Sequence, residues 1–116
     1  MAACGLFLFL QASTVALSQG PTQDVTIKLP GAKLPPVGFS HSSHVDGQKL
    51  QCALCHHLDP AQPKACTTCH KPEAEGKTPS AKESFHQQCV TCHKEQAGKA
   101  KKPDKIPTKC NGCHKR

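Results

Sequence analysis

Hydrophobic and polar positions alternate in one short stretch, Val25-Thr-Ile-Lys-Leu29, which predicts a strand that Pro30-Gly31 then breaks. A second extended piece is expected at Val37-Gly-Phe39 after Pro35-Pro36, and the two are placed to form a small hairpin. Only one segment carries the marks of a longer helix. Ser80-Ala-Lys-Glu83 has the form of a capping box and no Pro or Gly follows before Gly98, so a helix is predicted to about Ala97 with Gly98 as its C-terminal stop. Residues 2–18 are different again: they carry no charge and include the run Gly5-Leu-Phe-Leu-Phe-Leu10. Most of the remaining chain reads as loop, rich in Pro and Lys.

Such a pattern cannot build an ordinary core. A chain of 116 residues is one domain at most. Aromatics make up 3% of it, Trp and Tyr are absent, and Phe7 and Phe9 lie in the N-terminal apolar run. Domains this small and this poor in apolar side chains fold with the help of disulfides, metals or another staple.

The cysteines supply the candidate staple. Cys-x-x-Cys-His occurs four times, at Cys52-Ala-Leu-Cys55-His56, Cys66-Thr-Thr-Cys69-His70, Cys89-Val-Thr-Cys92-His93 and Cys110-Asn-Gly-Cys113-His114. This is the attachment pattern of c-type haem: two thiols add to the vinyl groups and the adjoining imidazole ligates the iron. On a helical turn, positions i, i+3 and i+4 share one face, so the spacing presents both sulfurs and the ligand to one flat macrocycle. The four matches use eight of the nine cysteines. Cysteine pairs with histidines also make zinc sites, often in nucleic-acid binders, and a zinc module is the alternative such motifs leave open.

Eight histidines are present. His56, His70, His93 and His114 are spent as proximal ligands, and His41, His44, His57 and His86 remain. Four haems with four spare imidazoles predict a histidine on both sides of every iron. Facing nitrogens on one iron lie about 4 Å apart, at metal–imidazole bonds near 2 Å each. His57 adjoins His56 and cannot reach the opposite face of the same haem. His86 and His93 fall on one side of a continuous helix, roughly 10 Å apart along its axis, so they do not share an iron. Each must complete another segment's haem. The expected fold is therefore small and irregular, with few short α-helices and a short N-terminal β-hairpin wrapped around four haems. Without them the chain should be largely unfolded.

Charge is unevenly placed. Lys94, Lys99, Lys101, Lys102, Lys105, Lys109, Lys115 and Arg116 face only Glu95 and Asp104, so residues 94–116 hold +6 of the formal +7. That is either a solvated tail that keeps the protein soluble or a basic face that steers an acidic partner to the last haem. Nucleic acid is disfavoured because stacking aromatics are missing. At the other end, Ala16-Leu17-Ser18 follows the apolar run as a small-x-small pattern, which predicts an export signal over residues 1–18 and a cytochrome domain over 19–116. The apolar run is too short for a spanning helix of about 20 residues. Cys4 would leave with the signal, and the periplasm is the expected location.

The chain resembles the class III cytochromes c, the small tetrahaem cytochrome c3 family of sulfate-reducing bacteria. The resemblance rests on Val37-Gly-Phe39-Ser-His41-Ser-Ser-His44, on the doubled histidine of Cys52-Ala-Leu-Cys55-His56-His57, and on His86 preceding the third attachment site. It implies that His41 faces His56 on the first haem, His57 faces His70 on the second, His44 faces His93 on the third, and His86 faces His114 on the fourth. It also implies that Phe39 lies between two haems. Many members have four residues between the cysteines of the second and fourth sites, whereas this chain has two in all four.

The function expected is an exported electron carrier, not an enzyme, with no small-molecule substrate. Four covalent bis-histidine haems of low potential would take electrons from a donor such as periplasmic hydrogenase and pass them to other redox proteins or a membrane-bound redox complex through the Lys-rich C-terminal region. The competing enzyme, a small multihaem reductase acting on metal ions or oxyanions, needs an iron with an open position.

Overall fold

A computed structural model describes residues 23–116; the apolar stretch, Cys4 and the expected cleavage near Ser18 lie outside the described residues. The hairpin consists of β1 (Val25–Ile27) and β2 (Val37–Phe39), antiparallel, with Val25 opposite Phe39 and Ile27 opposite Val37. The first strand stops two residues short of Leu29 because a turn begins there. The Ala32 N–H donates to the Leu29 carbonyl at 3.2 Å, and Gly31 has φ 71°, which with Pro30 before it is the signature of a type II turn.

Beyond β2 the chain coils directly into a wide π-helical turn, Ser43–Gly47. His41 lies in the α-helical start that leads into it, where the His44 N–H donates to the Ser40 carbonyl at 3.4 Å, and His44 lies inside the π-helical turn. The turn closes at Lys49, which adopts the left-handed conformation at φ 57° while Leu50 N–H reaches back to the His44 carbonyl at 3.2 Å. The first two attachment sites follow as single 3-10 turns, Cys52–Leu54 and Cys66–Thr68.

The long helix, α1, spans Ala81–Lys99 and carries the third site. Ser80 caps it as predicted: its Oγ accepts from Glu83 N–H at 3.3 Å, and Glu83 Oε2 accepts from Ser80 N–H at 3.0 Å. Its other end corrects the prediction. Gly98 is not the stop, and α1 continues through it to Lys99. A glycine stop works by taking positive φ, and Gly98 is not among the residues that do so; Ala100 ends the helix instead, in extended conformation. A short helix α2 (Cys110–Cys113) holds the fourth site.

Among the described residues only Ala81, at 2% exposure, and Ser80, at 7%, are buried. Leu58 is 75% exposed, and Leu34 and Leu54 are half so. Among the described residues there is little conventional core. No helix among the described residues is long and apolar enough to cross a membrane.

Candidate functional site

The Cys-x-x-Cys-His unit makes the same local structure in loop and helix. The N–H of His56 donates to Cys52 O, that of His70 to Cys66 O and that of His114 to Cys110 O, each at 2.8 Å. One helical turn is thus closed at each of these sites, and at the third it is part of α1. All eight motif cysteines are free of disulfides. Burial pushes the Cys89 thiol up to about 11 and raises Cys55 and Cys66 as well. Among the described residues no three His, Cys, Asp or Glu side chains gather to hold a metal ion by themselves.

The imidazoles are held by main-chain carbonyls. Nδ1 of His56 donates to Lys64 O at 3.0 Å, His70 to Pro79 O at 2.9 Å, His93 to Pro107 O at 2.7 Å and His114 to Pro35 O at 2.7 Å. His41 likewise donates to Gln23 O at 2.9 Å and His44 to Ser40 O at 2.8 Å. A carbonyl only accepts, so Nδ1 carries the proton in all six. Nε2 is left bare, with its lone pair available to a metal.

The rings also meet in pairs. His44 and His93 have centroids 6.1 Å apart, His57 and His70 6.1 Å, and His86 and His114 6.5 Å. Two imidazoles bound on opposite sides of one metal, with bonds of about 2 Å each, put their centroids about 6 Å apart. Each pair joins a histidine inside a motif to one outside it, in the combinations that the resemblance implies. Among the described residues no such approach joins His41 and His56. His41 instead meets Phe39 edge-on at 4.8 Å, and Phe39 also lies 4.6 Å from His44, so this one aromatic separates the two histidines. A cavity of about 520 Å³ opens at the fourth site, lined by Lys33, Leu34, Pro35, Cys110, His114 and Arg116 among others. Thiols outside any disulfide, imidazoles clamped at Nδ1 and rings that meet in pairs fit haem c.

Sequence reasoning missed the carbonyl clamps. Their acceptors are main-chain atoms of linker residues, 8, 9, 14 and 79 positions from the proximal histidines they hold, and no spacing rule reports them. It also missed Gln88, whose Nε2 donates to Leu54 O at 2.8 Å and so ties α1 to the first attachment turn. Nothing but the polar side chain itself, one residue before Cys89, could have pointed to it.

The chain is similar to known proteins. The model of the class III cytochrome C family matches residues 16–114. Among solved structures, the reduced form of a nine-haem cytochrome c is 28% identical with a TM-score of 0.63, over 82% of this chain and 38% of that one. The nine-haem cytochrome c of Desulfovibrio desulfuricans is 29% identical with a TM-score of 0.58, again over 82% and 38%. PpcB, a cytochrome c7 from Geobacter sulfurreducens, is 30% identical with a TM-score of 0.47, over 80% of this chain and 97% of that one. The chain therefore spans well under half the length of the nine-haem proteins it matches. No curated protein sequence matches it.

Proposed function

The chain belongs to the class III cytochrome c family, a family of multihaem electron-transfer proteins, and from that premise we propose that it carries electrons on four covalently attached haems, each held between two histidines. Cys52 and Cys55, Cys66 and Cys69, Cys89 and Cys92, and Cys110 and Cys113 would hold the four groups. His56, His70, His93 and His114 would be their proximal ligands, and His41, His57, His44 and His86 the distal ones in that order. The observation that carries this assignment is the set of three ring pairs at 6.1–6.5 Å, each joining a motif histidine to a spare one.

Bound haem supplies a reversible one-electron iron centre; the protein's part is to hold it and to set its potential. Carbonyls on Nδ1 would raise the basicity of His41, His44, His56, His70, His93 and His114, and two imidazole ligands per iron would favour the oxidised state and low potentials. Residues 1–18 would be an export signal, residues 19–116 the cytochrome domain, and the periplasm its location. The basic segment 94–116 would meet an acidic face of the partner, with hydrogenase as donor and another redox protein or a membrane complex as acceptor. Reduction of metal ions or oxyanions would need an open iron, and among the described residues His56 is the proximal histidine that no second imidazole faces.

A reduced pyridine haemochrome spectrum with intact mass on one preparation tests the assignment. Four haems on a chain beginning near residue 19 are expected, and fewer than four would sink it. Carbon monoxide should bind the native reduced protein poorly; tight binding at one haem would favour the reductase.

A further inference from the structure

We propose that Gly112, although it lies between the cysteines of the fourth site, is a positioning residue for His93, the proximal ligand of the third haem. The inference rests on the bis-histidine assignment above. Gly112 sits in α2 with its face against Pro107. A Cβ added there would lie 2.9 Å from Pro107 Cβ, closer than folded chains tolerate, and 3.4 Å from Pro107 Cα. The obstacle is a closed ring fused to the backbone, not the end of a flexible side chain, so it cannot swing aside without moving the main chain. Pro107 is also the residue whose carbonyl accepts from His93 Nδ1 at 2.7 Å. Three groups in direct contact thus run from the fourth attachment turn to the third iron ligand.

Conformation gives no other reason for this glycine. Only Gly31 and Gly76 among the described glycines have positive φ, so close approach is what the position demands. Gly98 in α1 makes the contrast: a Cβ there meets nothing within 4 Å. A larger residue at position 112 pushes Pro107 and its carbonyl off His93, which weakens the hydrogen bond on Nδ1 and lowers the basicity of the ring as a ligand. The oxidised state at the third haem then loses support. The fourth site thereby sets a property of the third.

The test is Gly112→Ala in the haem-loaded full chain, with each haem's midpoint potential followed separately through its methyl resonances in a redox NMR titration. The third haem's potential is expected to rise while the first and second stay put, and Gly98→Ala should leave all four unchanged. The double variant Gly112→Ala/Pro107→Gly removes the obstructing ring but keeps the carbonyl, and should return the third haem toward its original potential. A Gly112→Ala shift confined to the fourth haem, or a third-haem shift that survives in the double variant, overturns the proposal. Should Gly112→Ala mature with fewer than four haems, recovery of all four in the double variant supports the contact and failure to recover rejects it. Haem count and spin state of the unaltered protein are read in the same series, so a failure of bis-histidine ligation shows there, separately from any failure of the positioning role.

Discussion

Helix α1 and the attachment turns at Cys52 and Cys66 contain the same five-residue unit, yet one is embedded in 19 residues of continuous helix and the others in three-residue turns. In the two turns the closing bond is the same, His N–H to the first Cys carbonyl at 2.8 Å. The unit therefore needs only a single helical turn to aim two sulfurs and a ring at one macrocycle. What lies beyond that turn is set by context. Around α1 the context is local, a capping box and a run without Pro or Gly; around the turns it is distant, supplied by carbonyls of other segments and by the bound cofactor.

Removing the cofactor should break the comparison open most widely. Single helices shorter than ~12–15 residues are marginal in water, whereas α1 is longer and capped. A haem-free chain, produced without the attachment machinery, should lose every turn and the hairpin, and keep only part of α1. Far-ultraviolet circular dichroism and backbone NMR shifts would measure this, with residual helix expected inside residues 81–99 and none at 52–56 or 66–70. A haem-free chain with native-like shifts at those turns would mean that they fold on their own.

The second test asks whether the distal ligand on α1 serves its own helix or another segment. His86 meets the ring of His114, just after α2, at 6.5 Å, while His93, seven residues on, meets that of His44. Methionine in place of histidine raises haem potential, and ligand identity moves it over a wide range. His86→Met should raise the fourth haem's potential by on the order of 0.1 V and leave the third, on the same helix, nearly unmoved. Voltammetry with NMR assignment reads the difference; a shift at the third haem would mean that the pairing is wrong.

How far the sequence disclosed this architecture follows the same division. The hairpin, the cap at Ser80 and the motif turns were legible because each is decided within a few residues. The early end of β1 and the passage of α1 through Gly98 were not, since Pro30-Gly31 already starts its turn at Leu29 and an extended Ala100 can end a helix as well as a left-handed glycine. For the site, the four Cys-x-x-Cys-His runs are visible in the sequence itself, and two exclusions, His57 from pairing with His56 and His86 from pairing with His93, rest on chain geometry. The clamps at Lys64, Pro79, Pro107 and Pro35 could not, because a main-chain carbonyl has no sequence signature. The close fit of Gly112 against Pro107 was equally hidden, its glycine looking like any turn residue.

The smallest expected effect concerns the local signal that sets α1 apart. Ser80→Ala removes a cap worth about 1 kcal/mol, but the covalent haems proposed above would hold the helix to other segments, so global unfolding is a poor measure of it. Amide hydrogen exchange over Ala81–Ser84 is the sensitive one, and should quicken roughly fivefold. Its pH dependence separates the two halves of the box. Glu83 sits below its usual carboxylate range, chiefly because the Ser80 backbone N–H and then the Ser80 hydroxyl donate to it. A carboxylate with a depressed folded pKa stabilises the fold above its unfolded pKa, about 4.3 for Glu, and loses that contribution as pH falls through the folded value. Protection of the first turn should therefore be full at neutral pH and decline below about pH 4.3, and Ser80→Ala should narrow that decline while leaving exchange near Cys89 and His93 unchanged. If exchange instead quickens along the whole of α1, the helix is held from its cap after all, and its difference from the cofactor-held turns is greater than the shared motif suggests.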